Sequence, residues 1–259
     1  MRAKHKLLAG LASLTLFDIA AASAADMAVT MPVKAPVSPP AIYNWTGAYV
    51  GAHAGYRWAD AQFTGAEYDF GPVGFPARSN GLQPNGGIFG AHLGYNFMLS
   101  PTVLAGIEGD WTWGSARDGV TGTSLDGASF FSSRFKLNWQ ATIRGRLGVV
   151  NGPWMFYATG GVAFINVRWS ETVNILSGTI IDSWTYKSTR TGWTVGAGLE
   201  HMLNPNWLAR IEYLYENFGS FKVPFGVTTE PQIGRIELDA HKVRVGISYK
   251  FGGPLVARY

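Results

Sequence analysis

Apolar and polar residues alternate with a period of two along eight separate stretches of this chain. The last stretch, 241–251, shows the pattern most cleanly. Val243, Val245, Ile247, Tyr249 and Phe251 share one face, and Lys242, Arg244, Gly246, Ser248 and Lys250 share the other. Successive side chains of a strand point to opposite sides, so one face meets an apolar medium and the other meets water or counter-charge. In the first stretch, about 46–58, Ala48, Val50, Ala52, Ala54, Tyr56 and Trp58 oppose Tyr49, Gly51, His53, Gly55 and Arg57. The second, 87–99, sets Phe89, Ala91, Leu93, Tyr95 and Phe97 against Gly90, His92, Gly94 and Asn96. The third, 103–113, sets Ala105, Ile107, Trp111 and Trp113 against Glu108 and Asp110. The fourth, 137–149, places Leu137, Trp139, Ala141, Ile143, Leu147 and Val149 on the apolar side, with Gln140, Arg144 and Arg146 opposite. In the fifth, 155–165, both faces are small or apolar. The sixth opposes Trp193, Val195, Ala197 and Leu199 to Thr194 and Glu200. The seventh opposes Trp207, Ala209, Ile211, Tyr213 and Tyr215 to Arg210, Glu212 and Glu216.

The connections alternate in length. Stretches 99–102 (LSPT), 150–154 (VNGPW) and 203–206 (LNPN) are tight turns of Pro, Gly and Asn. Between them lie long polar stretches, about 59–86, 114–134, 166–190 and 218–235, read here as surface loops. Loops of that length are uncommon in a compact soluble domain and ordinary on the extracellular side of an outer-membrane barrel. The pattern therefore predicts an all-β fold: an eight-stranded antiparallel transmembrane β-barrel with short periplasmic turns and four long extracellular loops. A soluble ligand-carrying barrel would turn its apolar face inward, whereas here the charges fall on the Gly-rich face that suits a narrow lumen. Aromatic placement agrees. Trp58, Trp111, Trp113 and Trp193 fall near the long-loop ends, and Phe97, Trp207, Tyr249 and Phe251 near the short-turn ends, as two headgroup-level girdles would.

The ends of the chain divide it further. Arg2, Lys4 and Lys6 precede an apolar stretch and the small residues up to Ala25, which reads as a secretory signal peptide over 1–25. Its removal takes three basic residues and one acid, lowering the formal net charge from +4 to about +2. The basic balance is partly an export signal, and no nucleic-acid partner is expected. Residues 26–44, punctuated by Pro32, Pro36, Pro39 and Pro40, read as a periplasmic linker, 45–251 as the barrel and 252–259 as a short C-terminal extension. The chain has no cysteine, which excludes disulfides, zinc–thiolate sites and thiol nucleophiles.

The candidate chemistry lies on the inward face. Glu108, Asp110, Arg144, Arg146, Glu200, Arg210, Glu212, Lys242, Arg244 and Lys250 all project into one narrow lumen, where unpaired charge is costly, so a paired network is expected. Such a network seals the barrel or, alternatively, sets the selectivity of a narrow ion path. His53 and His92, inward on adjacent strands, are candidate metal or haem ligands. A lipid-modifying hydrolase would need a serine of the second loop, Ser129, Ser132 or Ser133, to meet His241, and no spacing marks a nucleophile.

The ordered motifs 43–51 (YNWTGAYVG), 106–111 (GIEGDW), 143–148 (IRGRLG), 157–163 (YATGGVA), 192–200 (GWTVGAGLE), 211–215 (IEYLY) and 243–251 (VRVGISYKF) resemble the porin-like outer-membrane immunogenic proteins of alphaproteobacteria, which are similar in fold to the outer membrane protein A barrel domain and to opacity proteins. The resemblance covers nearly the whole mature chain. It implies an outer-membrane location and a structural, surface-interaction role, with a narrow porin as the alternative and a haem-binding or lipid-modifying barrel third. It implies no resident cofactor, although some members have been linked to haem. It also implies lipid and lipopolysaccharide as surroundings, the barrel-assembly machinery during insertion, and host or antibody contacts through the loops. Glu108, Arg146, Glu212 and Lys250 match a lumen cluster that closes the channel in barrels of this resemblance. Either Phe251 or Tyr259 supplies the terminal aromatic used in assembly.

Overall fold

The computed structural model describes residues 43–64, 81–123, 129–175, 180–225 and 232–252. The expected signal peptide, nearly all of the expected linker and the extension beyond Gly252, with Tyr259, lie outside the described residues. The strands are β1 (Gly47–Thr64), β2 (Asn85–Met98), β3 (Val103–Thr123), β4 (Ser129–Asn151), β5 (Trp154–Ile175), β6 (Ile180–Met202), β7 (Trp207–Phe225) and β8 (Gln232–Lys250). They close into a ring in chain order, each antiparallel to its neighbours, with β8 returning to β1. Closure leaves no strand edge to face lipid without hydrogen-bond partners. The short turns form as expected; in 203–206 the Asn204 side chain accepts the N–H groups of Asn206 and Trp207 at 3.0 and 2.9 Å.

The alternation read from the sequence has the expected sense. Leu93, Ile107, Ile143, Leu147, Phe156 and Val245 are exposed on the outer surface, while the polar residues between them are buried in the lumen. All eight girdle residues lie outside: Trp58, Phe97, Trp111, Trp113, Trp193, Trp207, Tyr249 and Phe251. Several of them stack with neighbours, Trp111 on Trp139 with ring centroids 4.7 Å apart and Trp58 on His241 at 5.7 Å.

Strand length is where the structure corrects the reading. Of the stretches expected as loops, 114–134, 166–190 and 218–235 are in large part strand, and 59–86 contributes 59–64 and 85–86 to strands. A tilted strand crosses a bilayer in about 9–11 residues, yet β4 and β6 have 23 each. The extra length has its own driving force, because the alternation continues beyond the girdle with its phase inverted. Along β1 the inward positions run His53, Gly55, Arg57, then Ala59 and Ala61, while the outward positions change from Trp58 to Asp60 and Gln62. The partner strand changes at the same level: Lys242 is followed inward by Ala240, Leu238 and Ile236, and outward by Asp239, Glu237 and Arg235. Polar-out, apolar-in strands belong in water around a hydrophobic core. That core contains Phe135, Leu137, Ile165, Val167, Trp169, Phe218, Phe221, Ile236 and Leu238.

Three register shifts mark this level, between Trp113 and Ala116, between Leu137 and Gln140, and between Asn217 and Ser220. The second corrects the placement of Leu137. Expected on the lipid face, it is turned inward and fully buried, since the bulge exchanges inside for outside along β4. The third contains Gly219, whose φ of 62° other residues rarely adopt. Above Trp193↔Asn217 no pairing of β6 with β7 occurs among the described residues, and β2 begins at Asn85, opposite Trp58. Among the described residues the ring therefore continues past the girdle as two sheets, β3-β4-β5-β6 and β7-β8-β1. The second is extended at its β1 edge by residues 82–84, which bond back to Ala59 and Ala61. The inner faces of the two sheets share the apolar core.

Candidate functional site

The lumen is layered along its axis. At the short-turn end Trp45, Leu104, Val150, Met155, Tyr157, Met202 and Leu208 pack into a second apolar cluster. Trp45 is 0% exposed, and its indole N–H donates to the Gly152 carbonyl at 3.3 Å. It comes just before β1, so the residue that closes this end belongs to no strand and carried no signal in the alternation.

All ten expected lumen charges are buried. Eight of them form one network. Arg144 reaches Glu108 at 2.5 Å, Asp110 at 3.0 Å and Glu212 at 3.0 Å. Arg146 grips both oxygens of Glu200, at 2.9 and 3.1 Å, and donates from Nε to Asn96. Arg210 donates to Glu108 at 2.5 Å, and Arg244 to Glu212 at 2.6 Å and to Asp110 at 3.3 Å. Tyrosine hydroxyls complete it: Tyr49 donates to Glu108 at 2.8 Å and Tyr157 to Glu212 at 3.0 Å. The Arg146 guanidinium lies 4.9 and 5.0 Å from those two ring centroids, in cation–π contact with both. Gly94 and Gly198 make room for the rings; a Cβ on either would fall inside its tyrosine.

Lys250 and Lys242 are buried but stand apart from this network. Lys250 donates to the Gly252 carbonyl at 3.3 Å, near the short-turn end. The cluster of Glu108, Arg146, Glu212 and Lys250 implied by the resemblance therefore forms here with arginines in the place of the lysine. Lys242 belongs to a further layer with Arg57, Gln140 and Glu216, three buried polar residues that were legible as inward but not singled out. The signal that could have found them was the same alternation.

His53 and His92 do come together, with their Nδ1 atoms 3.3 Å apart and their rings stacked. Their outer nitrogens are engaged too, His53 Nε2 with the Thr112 hydroxyl at 3.0 Å and His92 Nε2 with the Ser248 hydroxyl at 2.7 Å. Among the described residues no group of three or more metal-binding side chains occurs. His241 faces outward, 2.7 Å from the Tyr213 hydroxyl. Ser133 is buried on β4, and β4 lies across the ring from β8.

The arrangement resembles known proteins along nearly its whole length. The family model for the outer membrane protein beta-barrel domain matches residues 10–251. The chain is 32% identical to the 31 kDa outer-membrane immunogenic protein of Brucella melitensis, over 93% of this chain and 98% of that protein. It is 31% identical to the 25 kDa outer-membrane immunogenic protein of Brucella abortus, over 97% and 100%. A 22 kDa outer membrane protein of Rhizobium leguminosarum is 29% identical, over 84% and 82%. Among solved structures, Neisserial surface protein A aligns with 80% of this chain and 98% of its own, at a TM-score of 0.40 and 14% identity.

Proposed function

This chain belongs to the outer membrane protein β-barrel domain family, and from that premise we propose that it is a sealed wall element of the outer membrane that presents a rigid two-sheet tier at the cell surface. The lumen carries this reading: charges that could line a conduit are instead paired across it, between apolar layers at both ends. A narrow pore would need some of those carboxylates and guanidiniums free to meet passing ions. The role is structural and interactive, in keeping with the immunogenic relatives. Lipid covers the apolar belt, with lipopolysaccharide against the girdle of Trp58, Trp111, Trp113 and Trp193. The polar outer faces of the upper tier are what host molecules and antibodies meet.

No enzymatic step is assigned. Ser133 and His241 lie on strands across the ring from each other, and His241 is held by Tyr213 and Trp58. Haem receives no ligand from His53 or His92 in this reading, because all four ring nitrogens already have partners. Insertion proceeds through the barrel-assembly machinery, and Phe251, set in the girdle against Tyr249, supplies the terminal aromatic.

The absence of cysteine makes the test clean. Gln62→Cys, on the outer face of the upper tier, reacts with a membrane-impermeant maleimide on intact cells. Asn204→Cys, in a short turn, reacts only after permeabilisation. The reverse pattern would place the two-sheet tier in the periplasm and end the surface reading.

A further inference from the structure

The eight-residue network is electrically closed: Arg144, Arg146, Arg210 and Arg244 face Glu108, Asp110, Glu200 and Glu212. The next layer toward the cell surface is not. Arg57 on β1 and Lys242 on β8 are direct partners in the strand register, both inward and both 0% exposed. Like charges placed opposite each other on paired strands repel. Both reach the same acceptor, Gln140 Oε1 on β4: Arg57 through Nη2, and Lys242 through Nζ at 3.1 Å. Glu216 on β7, 2.7 Å from Lys242, is the one carboxylate of the layer among the described residues. It compensates one cation and leaves one over.

Unsatisfied donors lie in this layer, as others do elsewhere in the barrel, among them Arg210 Nε and Nη2 and Asn96 Nδ2. Arg57 Nε and Nη1 and the Gln140 Nε2 amide have no hydrogen-bond partner. Rotating the Gln140 amide would not help, since it would turn N–H groups toward Arg57 and Lys242. Neither Glu216 oxygen accepts a hydrogen bond, Oε1 meeting Lys242 as an ion pair only, but these are acceptors. Bulk water does not cover the layer from the surface side, because the next inward residues on these strands are Ala59, Leu137, Phe218 and Ala240, all buried. A buried guanidinium with two idle donors and, among the described residues, no carboxylate in ion-pair contact is costly.

We propose that this layer binds one small monovalent inorganic anion, chloride in saline media, held by Arg57 and the Gln140 amide and completing the charge balance of the layer. The inference rests on the sealed lumen of the preceding reading. Its test is an equilibrium measurement that draws no current, so the two can fail separately.

The folded full-length barrel in detergent is melted over a chloride series at constant ionic strength, with gluconate, too large for a buried one-ion site, as the balancing anion. Melting temperature is expected to rise with chloride and saturate. In Arg57→Gln, which makes the layer neutral, the chloride dependence disappears. In Glu216→Gln, which adds a second uncompensated cation, saturation comes at lower chloride. A rise that follows ionic strength with either anion, or that persists unchanged in Arg57→Gln, overturns the site as an adventitious ion only. Should a variant fail to fold, wild-type crystals grown in sodium bromide decide. An anomalous peak within hydrogen-bond distance of Arg57 supports the site, and its absence, with or without a water in that position, overturns it.

Discussion

Ile143 and Arg144 are chain neighbours with opposite surroundings. Ile143 lies exposed on the lipid-facing wall, while Arg144 is buried among Glu108, Asp110 and Glu212. Ile143→Arg is accordingly expected to cost about 2–4 kcal/mol, the penalty of a basic side chain in the mid-membrane part of a barrel wall. Equilibrium unfolding from lipid vesicles measures it, and an unchanged stability would mean that this face does not meet lipid. Sidedness at this scale was legible because lipid tolerates few polar groups, so parity alone separates the two residues. Partnership was not. Nothing in the spacing of Arg146 and Glu200 says that they grip each other bidentately, or that Lys250 turns to the Gly252 carbonyl instead of joining the arginines. Those choices depend on register and tilt across a closed ring. Arg57, Gln140 and Glu216 read as inward but do not stand out as a site for the same reason: their meaning appears only when three non-neighbouring parts of the sequence meet.

The strands obey two opposite rules along their length. Below the girdle, lipid outside demands apolar-out; above it, water outside and a filled interior demand apolar-in. A reading tuned to the first rule stops each strand where the second begins, which is why 166–190 reads as loop although β5 and β6 pair there residue by residue from Ile165↔Arg190 to Glu171↔Trp184. Leu137 was misplaced by a related effect, since a bulge between it and Gln140 shifts the parity without any Gly or Pro to announce it. The outer tier has a core of its own, so it is separable in stability from the membrane tier. Leu137→Ala, which empties a fully buried site there, is expected to cost about 2–5 kcal/mol. Hydrogen exchange should show the loss concentrated in amides above the girdle, with those below it still protected. Uniform loosening of both tiers would contradict the division.

The described barrel is filled in layers along its axis. Trp45 and its apolar neighbours close the short-turn end, a charge-paired network occupies the middle, and the core of the two-sheet tier closes the surface end. Hydrophobic burial and ion pairing, which in a soluble protein would compete for one core, here alternate along an axis. The apolar ends and the eight-residue network block the path of an ion for different physical reasons: the ends exclude its hydration shell, and the paired charges of the network offer it no free counter-charge. The outer surface has a matching division, an apolar belt below the tryptophan girdle and charged strand faces above it. Single-channel recording from the refolded wild-type protein in a planar bilayer tests this account most directly. Silence at both polarities is the result it predicts, and steady, ion-selective conductance steps would contradict it.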